Sequence, residues 1–394
     1  MASSLADQVI AQALEYGGAF LKVIQPNDVG ITGGHQRGFH LSKLVHGYFT
    51  PQPPDKGINH DHEIRLEWSD GTVTDSVIKW YGVGTRAEYR LTRFNKIREF
   101  WPLRPERLGS VLVLIRRAST DWLGHVLDDA EDVDEVTAAL GLNLDDSSWA
   151  LYTDSGGRVR STETSSECEH LGILAQVREW TQFPTTAVMS ATARRIAESC
   201  GSSDGLDADD VLMKHVTLEY DMFKALEDQL VLADVSQRFD AVDSFLRVAQ
   251  SITQRRKARA GKSLEEHLKA LLLSRRLLFE PQPTLDGTKP DFVVPSAAKY
   301  YAASDDELDD VLVIAAKTTC KDRWRQVSAE APRVRTRYLV TLQKGVSSNQ
   351  IREMREARVQ LVVPRVLHDA YAPDDRGYLM TIEDFIKLAN QKAA

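Results

Sequence analysis

Four ionisable side chains in the second half of the 394-residue chain have the types needed for metal-assisted hydrolysis of a phosphodiester bond: Glu265, Asp291, Lys317 and Glu330. Mg²⁺ prefers hard oxygen ligands and keeps several waters, so two carboxylates and a substrate phosphate suffice to hold it. A nearby lysine can position the attacking water or help to deprotonate it. We therefore expect Asp291 and Glu330 to bind Mg²⁺ and Lys317 to orient the water. Glu265 would support these ligands or bind a second metal ion.

The elements predicted around three of these residues would position them at the edge of a sheet. Asp291 opens an apolar run, so its carboxylate would lie at the start of a strand. Lys317 ends the next apolar run, residues 311–316, where a strand would hold it rigidly beside a cleft. Glu330 would lie on the helix that follows, near 322–331.

Glu265 lies in the predicted first turn of an earlier helix. Ser263 and Glu266 match a capping box, in which each side chain hydrogen-bonds to the backbone of the other residue. The apolar residues that follow have helical spacing and predict a buried stripe: Leu264, Leu268, Leu271 and Leu272.

The Pro-Asp dipeptide alone is a weak signal, because it also occurs at 54–55 and 373–374. On the dipeptide alone, an aspartate in a turn with a snorkelling lysine is the simpler interpretation, and the strand context at Asp291 and Lys317 makes a catalytic role equally good. In addition, Ala315 stands two residues before Lys317, where a carboxylate is usual. Glu330 must therefore supply the missing ligand from the helix.

Composition and pattern divide the chain into two parts. Hydrophobic residues make up 42% and charged residues 27%, which excludes a collagen-like or wholly disordered chain. After an opening helix at about 5–16, short alternating strands predict a barrel or sandwich. Helical periodicity dominates about 185–280, and strands alternate with helices after 285, which predicts a mixed α/β sheet. The Ser, Thr, Asp and Gly content of 144–168 is typical of a linker, so the predicted division is 1–150, a linker at 151–170, and 171–394.

Charge and cysteine content limit the partners and the compartment. The net charge is -8, so any binding to nucleic acid must come from local basic patches. Cys168, Cys200 and Cys320 are too few and too scattered for a disulfide framework or a zinc site, which indicates a reducing compartment. There is no secretory signal and no run near the ~18 apolar residues of a membrane span. We expect a cytoplasmic protein that does not contact a membrane.

Three segments resemble the EcoRII-type restriction endonucleases: RRKARAGKSLE at 255–265, KPDF at 289–292 and AKTTCKDRWRQ at 316–326. The similarity covers about 210–370. It implies an α/β restriction-endonuclease-like fold of the PD-(D/E)XK class with a mixed sheet. In that family the second acidic residue has moved to a helix, with twelve residues between it and the lysine. Residues 318–329 are those twelve, so the resemblance implies that Glu330 replaces the carboxylate missing at Ala315.

The resemblance also implies DNA contacts in the catalytic domain. Related enzymes that read CC and GG pairs use a basic-acidic-basic triplet four residues past the lysine, which here is Lys321, Asp322 and Arg323. A carboxylate accepts from cytosine N4, and a cation donates to guanine O6 and N7. Without the resemblance, an exposed salt bridge at a helix start is the simpler interpretation. A nearby basic run could hold phosphates or form a solvated helix face: Arg255, Arg256, Lys257, Arg259 and Lys262.

Two N-terminal segments are similar to the same family, NDVGITGGHQ at 27–36 and, more loosely, GTRAEYRLTR at 84–93. In that family this part is an all-β, B3-like pseudobarrel that binds a second copy of the target and restrains the catalytic domain until then. Alternation would direct residues 86, 88 and 90 to one strand face. An exposed strand with cross-strand ion pairs is the alternative. The resemblance implies five contacts to DNA: His35, Arg86, Glu88, Arg90 and, near a phosphate, Arg93.

Together the residues and the resemblance predict a Mg²⁺-dependent, type IIE-like restriction endonuclease. It would cleave double-stranded DNA at a short CC…GG site such as CCWGG, under control of its N-terminal effector domain. A symmetric target implies a homodimer, and a cognate DNA methyltransferase is expected in the same system. Two alternatives stay open: a DNA-repair or structure-specific nuclease with the same core, and a non-catalytic DNA-binding regulator.

Overall fold

The protein forms two units in a computed structural model. The first unit spans Met1–Thr162 together with Lys344–Ile351 and Asp369–Arg376, and the second contains the other residues. The structure describes residues 4–32, 38–85, 87–94, 97, 99–145, 147–154, 158–160, 166–236, 239 and 241–393.

A nine-stranded sheet organises the first unit. Its strands are β1 (Gly18–Val23), β2 (Phe39–Leu41), β3 (His60–Trp68), β4 (Val73–Tyr81), β5 (Glu88–Thr92), β6 (Val111–Ala118), β7 (Asp121–Leu127), β8 (Trp149–Thr153) and β9 (Arg158–Arg160). They lie in the order β2-β5-β4-β3-β7-β6-β1-β8-β9. The pair β3 and β7 is parallel, and the other neighbouring pairs of this described sheet are antiparallel.

Apolar layers cover both faces of this sheet. The helices of the unit are α1 (Leu5–Glu15), α2 (His46–Phe49) and α3 (Ala130–Leu140). Phe20 of β1 faces an aromatic cluster that includes Trp68, whereas Leu21, on the opposite face, packs with residues of α1 and α3. The predicted opening helix and β-rich pattern are confirmed. The prediction that the first unit is all-β is wrong, because the helices α1 and α3 form part of the core of this unit.

The prediction of a linker at 151–170 is wrong at both of its ends. β8 pairs with β1, with Leu151 opposite Phe20, and its alternating Trp149 and Leu151 are buried in the aromatic cluster. Burial of these apolar side chains therefore outweighs the turn-like composition around them. The helix α4 (Glu167–Glu179) then begins inside the expected linker, where Ser166 caps its first turn.

Long helices form the first half of the second unit. After α4 come α5 (Thr186–Ser199), α6 (Ala208–Ser236) and α7 (Val242–Ser274), which confirms the predicted helical stretch. The structure pairs Cys168 with Cys200 in a disulfide that the cysteine count did not predict. These residues are 32 positions apart and meet only because α4 packs against α5.

A five-stranded mixed sheet, as predicted, forms the second half of this unit. In spatial order it contains β10 (Glu280–Pro281), β11 (Phe292–Val294), β12 (Leu312–Lys317), β13 (Arg337–Thr341) and β14 (Val359–Val362). The neighbours from β10 to β12 are antiparallel, and those from β12 to β14 are parallel.

Shorter helices connect or follow these strands. They are α8 (Ala297–Ala302), α9 (Trp324–Ser328), α10 (Ser348–Glu356) and α11 (Ile382–Ala393). The chain also has 3-10 turns at Lys43–Val45, Trp101–Leu103, Pro105–Arg107, Glu307–Asp310, Arg365–Ala370 and Pro373–Tyr378. None of the helices that the structure describes is both long and apolar enough to cross a bilayer.

We expect the first unit to lose stability as the pH falls from 6.5 towards 4, because His125 must stay neutral. Its Nε2 donates to Gln12 Oε1 at 2.8 Å, while its buried Nδ1 has no partner among the described residues. Burial lowers the pKa of His125 to about 4. In this interval the unfolded chain binds a proton that the folded chain excludes, so the free energy of unfolding should fall by about 2 kcal/mol at pH 5.

Urea unfolding followed by tryptophan fluorescence measures this loss, since five of the seven tryptophans lie in the first unit. The His125→Gln variant should show a flatter pH dependence than the wild type, and substitution of the exposed His170 should not. An equal pH dependence in His125→Gln and the wild type would contradict the assignment.

Candidate active site

Asp291 and Lys317 meet at the edge of the sheet where β12 ends. Because Phe292 lies opposite Ile314, the residue before β11 lies beside the end of β12. Asp291 Oδ2 accepts from the Ala316 backbone N–H at 2.7 Å and from Lys317 Nζ at 3.0 Å. The Asp291 side chain is 15% exposed and that of Lys317 28%, so solvent and a ligand can still reach the pair.

Glu330 joins this edge from a turn, and the prediction that it lies on a helix is wrong. The helix α9 ends at Ser328, and Ala331 adopts a left-handed φ of 43° before Pro332. A residue that precedes proline is disfavoured in a helix, which explains why the helix stops early. Arg337 Nε donates to the Glu330 carbonyl at 2.9 Å and so helps to hold the turn.

The Glu330 carboxyl is placed where a negative charge is poorly stabilised. Burial is the main cause that raises its pKa to about 7; the charge of Lys317 lowers it, that of Asp291 adds to the rise and that of Arg337 lowers it. Its Oε2 is buried without a hydrogen-bond partner among the described residues. The site therefore has an unsatisfied carboxylate oxygen, which a cation would stabilise.

Glu265 lies inside a long helix and not in its first turn. α7 runs without interruption from Val242 to Ser274, so the predicted capping box at Ser263 is wrong, and the Ser263 side chain is buried. Lys, Arg and Ala are strong helix formers, and the single Gly261 costs only about 1 kcal/mol, so the helix continues through this segment. The predicted stripe is confirmed, with these side chains buried: Leu264, Leu268, Leu271 and Leu272.

Gln282, a residue that the sequence did not single out, links Glu265 to Asp291. Its Nε2 donates to Glu265 Oε1 at 2.7 Å, and its backbone N–H donates to the Asp291 carbonyl at 2.8 Å. Burial raises the pKa of Glu265, and the nearby charge of Asp291 raises it as well. The sequence signal for Gln282 was a polar residue between Pro281 and Pro283, which does not by itself indicate a contact.

A buried network anchors α7 on the side away from Glu265. Glu219 of α6 is fully buried and accepts from Ser190 Oγ, and its carboxylate lies 2.8 Å from His267 Nε2. Arg259 Nη1 lies 3.8 Å from the same carboxylate. Because Arg259 and His267 both lie on α7, these contacts restrict how the helix can rotate.

Three arginines of the predicted phosphate-binding run face the helices around them. Arg256 Nε pairs with Glu227 at 2.7 Å, and Arg259 belongs to the buried network. The Arg255 guanidinium lies 4.0 Å from the centre of the Phe183 ring. These three side chains therefore support the packing of α7. This role differs from both interpretations based on the sequence, which were a phosphate-binding surface and a solvated helix face.

The other predicted contacts of the catalytic unit differ in their access to solvent. Lys257 and Lys262 are exposed on α7. In the triplet before α9, Lys321 is buried, with 7% exposure, whereas Asp322 and Arg323 are half-buried. In this conformation Asp322 and Arg323 are better placed than Lys321 to reach a base edge.

In the N-terminal unit, His35 and Arg86 lie outside the described residues. Glu88 and Arg90 lie on β5, but Arg90 is only 4% exposed and its Nε donates to Glu88 Oε1 at 3.2 Å. The expectation that Arg90 faces a DNA groove is wrong for this conformation. β5 is an internal strand between β2 and β4, and its consecutive residues Tyr89, Arg90 and Leu91 are all buried, so both faces of the strand are covered at this point.

Arg93 makes the type of cross-strand contact that was the alternative to DNA binding. Its Nη1 donates to Glu63 Oε1 at 2.8 Å, and its Nη2 lies 4.0 Å from Asp61. Both partners are on β3. A phosphate would have to displace or share these exposed ion pairs, which are individually weak.

The donor set of the edge fits Mg²⁺ with the substrate as a further ligand. Within the described ranges, no group of three or more His, Cys, Asp or Glu side chains is close enough to hold a metal ion. Asp291 and Glu330 nevertheless offer hard carboxylate oxygens, and one of these is the unpartnered Glu330 Oε2. Two carboxylates with waters and a phosphate satisfy the usual coordination of Mg²⁺.

Two family descriptions match separate parts of the chain. The family described as EcoRII C terminal matches residues 223–386. The family described as Restriction endonuclease EcoRII, N-terminal, matches residues 15–150. Most of each unit is therefore covered by a description of the same type of enzyme.

Two named relatives are similar to the chain. Type II restriction enzyme EcoRII of Escherichia coli is 33% identical over 386 residues, which cover 93% of this chain and 92% of that protein. Type II restriction enzyme SsoII of Shigella sonnei is 28% identical over 187 residues, which cover 43% of this chain and 59% of that protein.

Solved structures of two other enzymes share a more limited likeness. Metal-depleted Ecl18kI with uncleaved, modified DNA has a TM-score of 0.45 and 22% identity, covering 58% of this chain and 84% of that one. The PspGI complex with substrate DNA has a TM-score of 0.45 and 17% identity, covering 54% and 93%.

The buried network predicts that loss of the Glu219 carboxylate strongly destabilises the second unit. Glu219→Ala would leave Arg259 and His267 buried without the carboxylate beside them, at a cost of about 3–5 kcal/mol in the free energy of unfolding. Urea unfolding followed by the circular dichroism of the helices measures this. The matched control Asp228→Ala removes an exposed acid from α6 and should cost less than about 0.5 kcal/mol. Equal losses in the two variants would show that the network does not anchor α7.

Proposed function

The chain belongs to the EcoRII family of type II restriction endonucleases, and on this premise we propose that it cleaves double-stranded DNA at a short CC…GG site such as CCWGG. The observation that carries the proposal is the pairing of Lys317 with Asp291 beside the unsatisfied carboxylate of Glu330. This combination provides two metal ligands and a cation at one accessible edge. A repair nuclease would cut DNA without a target of fixed sequence, and a non-catalytic regulator would not cut DNA.

Asp291 and Glu330 are the residues that would hold Mg²⁺. When bound, Mg²⁺ supplies positive charge that neutralises the scissile phosphate and its leaving oxygen. The protein prepares this site by holding Asp291 Oδ2 with the Ala316 N–H and Lys317 Nζ. The other carboxylate oxygen of Asp291, Oδ1, makes no hydrogen bond within the described residues and is available as a metal ligand.

Lys317 would act on the attacking water and on the phosphate. An ammonium group has three N–H donors, and the contact with Asp291 uses one of them. The remaining donors can orient a water in line with the phosphorus and stabilise the charge that develops on the phosphoryl oxygens. Glu265, tied to Asp291 through Gln282, would set the position of Asp291 or bind a second metal ion.

The N-terminal unit would be the effector domain, a B3-like pseudobarrel that binds a second copy of the target. Glu88 is partly exposed, whereas Arg90 would have to leave Glu88 to reach a groove. A symmetric target would be cut by a homodimer, one strand per subunit. A DNA methyltransferase of the same specificity would protect the host DNA.

We expect substitutions of the three proposed catalytic residues to abolish cleavage without loss of fold. Asp291→Asn, Lys317→Met and Glu330→Gln should each slow cleavage of a plasmid with several target sites by at least about 100-fold. The reason is that each removes a ligand or a donor at the reacting phosphate while it preserves side-chain size. Initial rates on agarose gels in Mg²⁺ measure the effect.

Asp305→Asn is the matched control, because Asp305 is an exposed acid of the same unit that precedes the start of β12, whereas Lys317 lies at the end of that strand. It should cut like the wild type. Wild-type rates in all three site variants would contradict the catalytic assignment, and sequencing of the ends produced by the wild type would test the target.

The effector role predicts stimulation by a second DNA copy. A short duplex that contains the target, added in trans, should raise the cleavage rate of a plasmid with a single site, because it fills the N-terminal binding site. A duplex of the same length and composition with a scrambled target is the control. Equal rates with both duplexes, across a range of concentrations, would refute regulation by a second copy.

A further inference from the structure

A cavity of about 530 Å³ lies in the second unit, away from the catalytic edge of its sheet. It is lined by residues at the starts of strands, among them Leu312 and Tyr338. β12 and β13 are parallel, so their starts share one edge, and Lys317 lies at the end of β12 on the opposite edge. The cavity therefore lies at the opposite edge of the sheet from Asp291 and Lys317, and its size lies within the range of small-molecule sites.

Three cationic side chains line this cavity, and two of them have carboxylate partners. Arg335 Nη1 lies 3.2 Å from Asp309 Oδ2, and Lys392 Nζ lies 2.9 Å from Asp310. Both ion pairs are at least partly exposed. The Arg358 side chain makes no ion pair or hydrogen bond within the described part of the chain. Of the side chains that line the cavity, three are cationic and one, Asp309, is acidic, whereas Asp310 reaches Lys392 from outside the lining.

Two hydroxyl groups add neutral donors to the same cavity. Thr336 and Tyr338 line it, and neither hydroxyl makes a hydrogen bond with any described residue. Burial raises the pKa of Tyr338, and the charge of Asp309 raises it further, so the phenol keeps its proton at neutral pH. The cavity thus combines unpaired hydroxyl donors with the unpaired guanidinium of Arg358.

The Arg358 side chain is exposed, and its guanidinium is close enough to that of Arg337 to affect it. Burial lowers the pKa of Arg337, and the charge of Arg358 lowers it further, which reports that the two guanidinium groups repel each other. Arg358 also has a left-handed φ of 54°, which is uncommon for a residue with a side chain. An anion bound to Arg358 would offset the repulsion between the two arginines.

We propose that this cavity binds a small phosphate monoester of mononucleotide size. A phosphate offers several acceptor oxygens in a tetrahedral arrangement, which suits one guanidinium fork together with hydroxyl and ammonium donors. A body the size of a nucleoside would lie against the apolar side chains of Leu308 and Val311, which line the remainder of the cavity. The proposal does not depend on the nuclease activity.

Calorimetric titration of the full chain with adenosine 5′-monophosphate, in buffer without divalent cations, tests the proposal. The wild type should bind the nucleotide and, more weakly, inorganic phosphate, and it should not bind adenosine, which lacks the phosphate. Arg358→Gln and Thr336→Val should each weaken the binding of the nucleotide, the former by at least about tenfold. Unfolding curves of both variants should match that of the wild type.

Two matched variants separate this cavity from other basic or catalytic surfaces. Lys387→Gln removes an exposed cation from α11, the helix that carries Lys392, and should bind the nucleotide like the wild type. Asp291→Asn should also bind it like the wild type, even if it cannot cut DNA. Wild-type affinity in Arg358→Gln, binding that Asp291→Asn abolishes, or no heat change at millimolar nucleotide would each overturn the proposal.

Discussion

The contact between Asp291 and Lys317 is the constraint on which the proposed chemistry depends. The two residues are 26 positions apart, and they meet because β11 and β12 are antiparallel neighbours. The Ala316 N–H holds the same carboxylate oxygen, so the backbone of the sheet fixes Asp291 as firmly as the lysine does. A rigid carboxylate beside an ammonium group is an arrangement that can be completed by a metal ion and a phosphate without large movements of the protein.

Glu330 is the less stable member of the site. Burial disfavours its charge and raises its pKa. The free-energy cost of burying this carboxylate has to be offset by the rest of the fold. The buried contacts of Glu219 with α7, and the apolar packing of that helix, provide part of this stability while they also place Glu265 near the edge. Strain at a functional site and compensation around it are a common combination in enzymes.

The pattern of apolar runs was sufficient to predict the mixed sheet and the strand ends at Asp291 and Lys317, because alternation and burial are local properties of the sequence. Predictions that depended on tertiary context failed. Ser263 matched a capping box, but neighbouring helices support α7 through that point, and Glu330 lies beyond its helix because of the turn before proline. Arg90 had the spacing of an exposed strand residue, yet central strands can be covered on both faces. The roles of the four site residues also required a family resemblance, since the Pro-Asp dipeptide is too common to identify them.

The most direct measurement is the position of a divalent ion in crystals of the protein with target DNA. Mn²⁺ can replace Mg²⁺ at oxygen ligands, and its anomalous scattering identifies it without ambiguity. Our account predicts an anomalous peak within bonding distance of carboxylate oxygens of both Asp291 and Glu330, with Lys317 on the side of the scissile phosphate. A peak at other residues, with Asp291 and Glu330 free of metal, would contradict it.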